Sequence, residues 1–195
     1  MKRIGLTGGI GSGKSFIANI LEHMGFPVYY SDSRSKELTK SNPTIRAGLI
    51  SLFGEEVYVK GELNTQLVAT KIFQNEELRQ KVNQLIHPIV RKDFDDWATN
   101  QHSELVFNEA AILFETGAYK NFDATILVCA PMELKIKRVM NRENCSREDV
   151  LARMSKQWSD EEKMKLADFV IENDEKLPIL NQIEGVLNRL INNFN

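Results

Sequence analysis

The stretch that most constrains this chain is a glycine-rich loop close to its amino terminus. Residues 8–15 read GGIGSGKS and match the pattern G-x-x-x-x-G-K-[ST] at every position. The residues before the loop, Arg3 to Thr7, predict a short buried strand, and apolar residues recur at helical spacing from Ser15 to Met24. Backbone N–H groups and a helix dipole then converge on one anion, as in phosphate-binding loops. The alternative is a flexible glycine turn that merely precedes a helix.

This loop predicts a site for ATP and its metal ion. Glycine lets consecutive N–H groups approach phosphate oxygens without a Cβ in the way. Lys14 is expected to reach the β- and γ-phosphates, and the Ser15 hydroxyl is a natural Mg²⁺ ligand. The competing dinucleotide fingerprint G-x-G-x-x-G fails because Lys14 occupies its last position. The predicted ATP-binding residues of the loop are Gly9, Gly11, Ser12, Gly13, Lys14, Ser15 and Phe16.

The order of predicted elements indicates the fold class. Strands are expected at residues 3–7, 27–30, 105–108, 124–130 and 169–172, and a closing helix at 176–193. Strands that alternate with helices predict an α/β fold, a three-layer, doubly wound, parallel five-stranded sheet of the P-loop kinase type. Residues from about 33 to 100 are mostly helical in pattern, with no good strand. We expect a single domain over residues 1–195.

Composition argues against several classes of protein. The 195 residues are 42% hydrophobic and 27% charged, enough to bury a real core. A net charge of −2 argues against a nucleic-acid partner. Cys129 and Cys145 give no disulfide framework, which suits a reducing cytosol. We expect neither a secretory leader nor a membrane span, because no long apolar run is present.

The class of nucleotide-binding protein follows from what accompanies the loop. A GTPase would carry N-K-x-D and D-x-x-G, and neither string occurs in the sequence. An AAA-type motor is usually longer and needs a hydrophobic strand that ends in aspartate, whereas LVFNE ends at Glu109. A short chain with a basic region late in its sequence is more typical of a small-molecule kinase, whose lid closes on ATP and excludes water.

That basic region is the predicted lid, at about residues 132–158. Seven lysines and arginines face four acidic residues between Met132 and Lys156, a local charge of +3. Arg138 and Arg142 lie four residues apart and share one helix face. Because guanidinium groups neutralise a transferring phosphoryl group, Arg138 is a candidate catalytic residue and Arg142 a candidate ATP-binding residue. The alternative is a solvated helix whose charges form exposed pairs.

Ligands of doubly wound sheets lie beyond the carboxyl ends of the strands, and Asp32 and Glu109 both fall there. A carboxylate at Asp32 is suited to orient a substrate hydroxyl and accept its proton, but aspartate is equally a good N-cap for a helix starting at Ser33. Position alone does not separate these roles. Glu109 and Glu115 compete for a metal or substrate role. His87 stands before a proline, where histidine is more often structural.

Taken in order, these motifs resemble the dephospho-coenzyme A kinase family over essentially the whole chain. The opening IGLTGGIGSGKS alone would indicate only a superfamily, but the ordered set is much more specific. The other matching stretches are SDSRSKEL (31–38), LIHPIVR (85–91), EAAILFETG (109–117), the spacing K-R-V-M-x-R (137–142), ARMSKQ (152–157) and ADFVIEND (167–174).

The resemblance implies transfer of the γ-phosphoryl group of ATP to the ribose 3′-hydroxyl of dephospho-CoA, the last step of coenzyme A synthesis. Asp32 matches the family aspartate at the acceptor hydroxyl, Arg138 falls at a lid arginine, and Asn173 would lie near the adenine pocket. The stretch at about 33–100 would form the helical acceptor-binding lobe. The predicted catalytic residues are Asp32, Lys14 and Arg138, and the predicted substrate-binding residues are Asp32, Lys36, His87 and Glu109.

The resemblance further implies a cytoplasmic enzyme that uses Mg²⁺ with ATP and dephospho-CoA, and we expect a monomer or weak homo-oligomer. The alternative that stays open is another P-loop kinase acting on a nucleoside monophosphate or a small sugar or acid. Three residues depart from the family pattern. Phe16 replaces a threonine, Tyr30 replaces an aspartate, and Lys36 replaces an arginine that would hold a substrate phosphate bidentately.

Overall fold

The glycine-rich loop leaves the central strand of a five-stranded sheet in the computed structural model, which describes residues 1–73 and 75–193. The strands are β1 (Lys2–Thr7), β2 (Val28–Tyr30), β3 (Tyr58–Val59), β4 (Glu62–Leu63), β5 (Leu105–Glu109), β6 (Ala124–Cys129) and β7 (Phe169–Glu172). The order in the large sheet is β2-β5-β1-β6-β7. The ladders of β1 with β5, β1 with β6 and β6 with β7 are parallel. The predicted α/β fold with a five-stranded parallel sheet is confirmed.

Burial explains why these strands occupy the centre. Every residue of β5 and β6 is buried. Strands of a parallel sheet are covered on both faces, which is why their sequences are nearly continuous apolar runs. Three of the buried positions are polar: Thr125 in β6, and Asn108 and Glu109, which end β5 and are 5% and 4% exposed. Buried polar residues at a strand end need partners, and Glu109 finds them in the loop after β1.

The helices are interspersed with these strands along the chain. They are α1 (Lys14–His23), α2 (Ser31–Ser41), α3 (Pro43–Phe53), α4 (Thr65–Phe73), α5 (Glu76–Thr99), α6 (Met132–Glu143), α7 (Arg147–Met154), α8 (Asp160–Met164) and α9 (Ile179–Asn193). The closing helix starts three residues later than predicted. Asp174 Oδ1 accepts the backbone N–H groups of Lys176 and Leu177, each at 2.9 Å, so these residues form a turn before Pro178.

The prediction of no strand between about 33 and 100 is wrong. β3 and β4 form an antiparallel hairpin joined by Lys60 and Gly61, both with positive φ. Such a two-residue turn matches the twist of the strands it joins. Each strand is two residues long, too short to produce an alternating pattern in the sequence.

The chain divides into two compact units. The first contains Met1–Tyr29 and His102–Asn195, and the second contains Tyr30–Gln101. In the second unit, Arg34 on α2 makes a bidentate pair with Asp93 on α5, at 2.7 and 3.0 Å. This pair raises the pKa of Arg34 above its usual value. Within the described residues, no helix is both long enough and apolar enough to cross a bilayer.

A buried ion pair anchors α8 in the first unit. Lys163 is 0% exposed, and its Nζ lies 2.8 Å from Glu115 Oε1. The same oxygen accepts the backbone N–H of Trp158 at 3.1 Å. Ser159 and Glu162 form a capping box at the start of α8, which fixes the direction in which Lys163 enters the core.

Lys163→Met is expected to lower the free energy of unfolding by about 3 kcal/mol, because it leaves the Glu115 carboxylate buried without its counter-charge. Urea denaturation measures the change. Lys165→Met is the matched control, since Lys165 is exposed only two residues away and its loss is expected to cost little. Equal stability of the two variants would contradict this assignment.

Candidate active site

The loop between β1 and α1 adopts a conformation that depends on glycine at two positions. Gly11 has φ +79° and Gly13 has φ +93°, a region that other residues rarely adopt. Gly13 is also the N-cap of α1, and its carbonyl oxygen accepts the N–H groups of Phe16 and Ile17 at 3.0 and 3.1 Å. Helix α1 therefore starts at Lys14, where the phosphate-loop pattern requires it.

Two side chains from neighbouring elements hold the carbonyl oxygens of this loop. Asn173, just after β7, donates from Nδ2 to Ser12 O at 2.9 Å and is 8% exposed. Arg138 on α6 donates from Nη1 to Gly11 O and Ser12 O, both at 3.4 Å. Carbonyl oxygens repel phosphate, so holding them by donors outside the loop leaves the N–H groups to serve an anion.

The cation, the hydroxyl and a buried acid of the site lie together at the start of α1. Lys14 Nζ is 3.5 Å from Glu109 Oε1, and Ser15 Oγ donates to the same oxygen at 3.4 Å. Parallel pairing of β1 with β5 produces this cluster, because it sets Leu6 opposite Glu109. Glu109, predicted as a substrate-binding residue, therefore lies beside the predicted ATP and metal residues.

The donor set of this cluster fits a small divalent cation. Ser15 Oγ and the Glu109 carboxylate are hard oxygen donors, the type that Mg²⁺ prefers. One hydroxyl and one carboxylate leave most of an octahedral shell to water and to phosphate oxygens, which is how Mg²⁺ is usually held in kinases. The residues present therefore fit the ion that the sequence predicts.

The arginines of the predicted lid region all have acidic partners. Besides the loop carbonyls, Arg138 contacts Glu175 Oε1 through Nη2 at 3.0 Å and Asn173 O at 3.1 Å. Arg142 and Arg153 share the Glu143 carboxylate. The hydrogen bonds from Arg153 and then Arg142 lower the pKa of Glu143 to about 2. Phe16, also predicted to contact ATP, is 53% exposed in the first turn of α1.

A set of contacts that the sequence analysis did not assign lies on the other side of the loop. Gln157 Oε1 accepts the N–H of Ile10 at 2.9 Å. Lys135 Nζ on α6 lies 2.8 Å from Asp160 Oδ2 on α8, and the two side chains are 10% and 13% exposed. Lys135 and Asp160 are 25 residues apart, so no local pattern could have paired them. Gln157 ends the stretch ARMSKQ, which gave a family likeness but no chemical role.

These contacts border a cavity of about 710 Å³. Its lining includes Gly9 and Ile10 of the loop, Met154 and Trp158. Cys129 at the end of β6 also lines it, and burial raises the pKa of this thiol to about 12, with a smaller contribution from Asp160. The thiol is therefore protonated at neutral pH and is a poor nucleophile.

The remaining predicted site residues belong to the second unit. Asp32 and Lys36 lie on α2, and both are exposed. Helix α2 starts at Ser31 with Tyr30 as its N-cap, so the alternative role of Asp32 as the N-cap is wrong. The capping pattern at Asp32 was misleading because α2 begins at Ser31, directly after β2 ends at Tyr30, with no loop between them.

His87 also lies in the second unit, near the middle of α5, which continues through Pro88. Desolvation by its neighbours and then the charge of Arg91 lower the pKa of His87. The imidazole is therefore neutral at pH 7, where it has one donor and one acceptor for a ligand.

Gly13→Ala is expected to destabilise the fold and abolish nucleotide binding. Its Cβ would lie 2.1 Å from Asn173 Nδ2 at a backbone φ of +93°. Gly9→Ala is the matched control, because a Cβ there meets nothing closer than 3.4 Å. Thermal unfolding should place Gly13→Ala several degrees below Gly9→Ala, since αL strain alone costs about 1–2 kcal/mol. A Gly13→Ala variant that unfolds like Gly9→Ala would show that the loop tolerates a Cβ.

The chain is similar to known proteins over most of its length. A family model for dephospho-CoA kinase matches residues 2–178. A dephospho-CoA kinase of Bacteroides fragilis is 43% identical over 182 residues, which cover 93% of this chain and 89% of that protein. The crystal structure of Thermus thermophilus TT1252 has a TM-score of 0.85 and 34% identity, covering 100% of this chain and 98% of that one. The dephospho-CoA kinase from Campylobacter jejuni has a TM-score of 0.69 and 26% identity, covering 96% of each chain. With its phosphate loop in place and the match running from the first strand to beyond the last, the chain belongs to the dephospho-CoA kinase family.

Proposed function

We propose that the chain transfers the γ-phosphoryl group of ATP to the ribose 3′-hydroxyl of dephospho-CoA and so completes coenzyme A. The observation that carries the proposal is the cluster of Lys14, Ser15 and Glu109 at the first turn of α1, in a chain of this family. A phosphate loop alone would serve many kinases, and family membership selects the acceptor.

The loop supplies the ATP site. The N–H groups of Gly11, Gly13, Lys14 and Ser15, at the start of α1, bind the triphosphate, and Lys14 Nζ contacts its β- and γ-phosphates. Since Glu109 holds Lys14 at 3.5 Å, the ammonium group is positioned before ATP arrives. Phe16 has no side-chain hydroxyl to offer the α-phosphate, and its backbone N–H is donated to Gly13 O at 3.0 Å.

Ser15 and Glu109 are the residues that would hold the divalent ion that accompanies ATP, and we propose Mg²⁺. When bound, such an ion neutralises charge on the β- and γ-phosphate oxygens. Glu109 is buried, so its carboxylate keeps its orientation and accepts a hydrogen bond from the Ser15 hydroxyl. That hydrogen bond turns the oxygen lone pairs of Ser15 away from Glu109 and leaves them available as ligands.

Asp32 is proposed as the general base. It follows β2 in the chain and lies in the first turn of α2, where it is not the N-cap. It would orient the acceptor hydroxyl and take its proton as the bond to phosphorus forms. Lys36 and His87, with their donors, are proposed to contact the phosphates or amides of the acceptor.

The segment at about 132–158 is proposed as the lid, and Tyr30–Gln101 as the acceptor-binding lobe of a single functional domain. Arg138 would stabilise charge on the transferring phosphoryl group after exchanging its contact with Glu175 for phosphate oxygens. Arg142 would approach ATP once Glu143 is displaced. We propose that the protein is cytoplasmic, a monomer or weak homo-oligomer, and that it has no nucleic-acid or membrane partner.

The proposal is tested by ADP release measured with one acceptor at a time: dephospho-CoA, AMP, CMP, shikimate and gluconate. Dephospho-CoA is expected to give turnover at least about 100-fold above the others. A site that hydrogen-bonds the polar groups of dephospho-CoA has some of its own polar groups left unpaired when a smaller acceptor binds. Mass spectrometry identifies the product as coenzyme A. Turnover of another acceptor at a comparable rate would assign a different P-loop kinase, and tight ATP binding with no acceptor-dependent ADP would indicate a binding module.

Asp32→Asn is expected to lower kcat by about 100-fold or more while the KM for ATP changes little, because the amide keeps the shape but does not accept the proton. Lys14→Ala should lower kcat and weaken ATP binding together. Asp96→Asn is the matched control, an exposed acid of α5 in the same unit. An Asp32→Asn enzyme with the kcat of the Asp96→Asn control would remove Asp32 from the chemistry.

A further inference from the structure

One N–H group of the phosphate loop is held by a side chain. Gln157 Oε1 accepts the N–H of Ile10 at 2.9 Å, and both residues are half-buried. Ile10 lies in the first half of the loop, three residues after Thr7, which is the last residue of β1. An N–H that is bound to Gln157 is directed away from the phosphates, so this contact sets where the next N–H groups of the loop lie.

The segment that carries Gln157 is itself fixed by two ion pairs. Three residues further on, Asp160 pairs with Lys135 at 2.8 Å. Asp160 lies next to the loop, since a Cβ added to Gly9 would be 3.4 Å from Asp160 Oδ1. Six residues further on, Lys163 pairs with Glu115. The segment 157–163 is thereby tied to the residues that follow β1, β5 and β6.

The burial of these groups strengthens the contacts between them. The side chains of Lys135, Asp160, Lys163 and Glu115 are at most 13% exposed. Ion pairs and hydrogen bonds in such surroundings are stronger than at the surface, and leaving one partner alone is costly. Gln157 therefore presents its oxygen to Ile10 from a segment that two buried ion pairs hold in place in this structure.

We propose that Gln157 is a positioning residue for phosphoryl transfer, which fixes the first half of the phosphate loop through the Ile10 N–H and so pre-organises the loop for the triphosphate. Gln157 acts through the backbone and touches neither substrate. The inference extends the proposed function and rests on it for the identity of the acceptor, but the effect on ATP binding needs no acceptor.

Three variants test the proposal. Gln157→Met keeps the length of the side chain and removes its acceptor. Gln157→Glu keeps an oxygen at the same reach and adds a charge. Gln182→Met is the matched control, because Gln182 holds the backbone of Glu172 with two bonds, at 2.8 and 3.0 Å, outside the phosphate loop. Each variant is measured for melting temperature, ATP affinity by calorimetry, and kcat and KM with dephospho-CoA.

Gln157→Met is expected to weaken ATP binding and lower kcat by about 10-fold each, with a melting temperature that falls no further than in Gln182→Met. Gln157→Glu should restore kcat to within about threefold of the parent, while its charge raises the KM for ATP. Gln182→Met should keep the ATP affinity and kcat of the parent. A merely structural contact would not be expected to lower ATP affinity and kcat without an extra loss of melting temperature, nor to be rescued by glutamate.

The proposal is overturned if Gln157→Met retains the ATP affinity and kcat of the parent, if Gln182→Met loses as much, or if glutamate restores nothing. If the parent binds ATP but does not phosphorylate dephospho-CoA, the proposed function fails. The positioning role is then decided by ATP affinity alone, with the same expected 10-fold difference between Gln157→Met and Gln182→Met.

Discussion

A loop that binds phosphate through its backbone has to keep its own carbonyl oxygens out of the site, and this constraint governs the arrangement of the first unit. Asn173 and Arg138 bind the carbonyl oxygens of Gly11 and Ser12 from outside. They come from the end of β7 and from α6, so the sheet order and the helix after β6 both serve the loop. The two positive φ angles at Gly11 and Gly13 then complete the turn.

The polar groups at the start of α1 explain why a buried acid is tolerated beside the loop. Glu109 would be costly at the end of a buried strand if it stood alone. It has Lys14 and Ser15 as partners, and these are the residues proposed to face ATP and its ion. One carboxylate therefore positions a cation and a hydroxyl at once, and its burial keeps it from turning towards water.

The sequence was most informative where a physical requirement has a local signature. Consecutive glycines, one lysine and the alternation of apolar runs predicted the loop, the helix after it and the five strands of the large sheet. Contacts between distant positions left no such signature. Glu109 was recognised as a site residue but not as the partner of Lys14, because that pairing depends on the register of β1 against β5.

Other differences also arise from interactions that no short window reveals. The hairpin of β3 and β4 is too short to show a period, and the N-cap role of Asp32 failed because α2 begins directly after β2. Gln157 carried a family likeness without a chemical pattern, since its partner is a backbone N–H that lies 147 residues away in the chain.

The distribution of charge shows where the attraction for a triphosphate originates. The predicted lid region has a formal charge of +3, but Arg138, Arg142, Arg147 and Arg153 are each within ion-pair distance of a glutamate. Neutralised guanidinium groups contribute little field at a distance, and solvent screens what is left. Lys14 is also paired with Glu109, so the N–H groups of the loop and the α1 dipole provide the first attraction for the nucleotide. In the proposed function, the arginines would become available only when an anion competes with their glutamate partners, which would reserve them for a bound triphosphate.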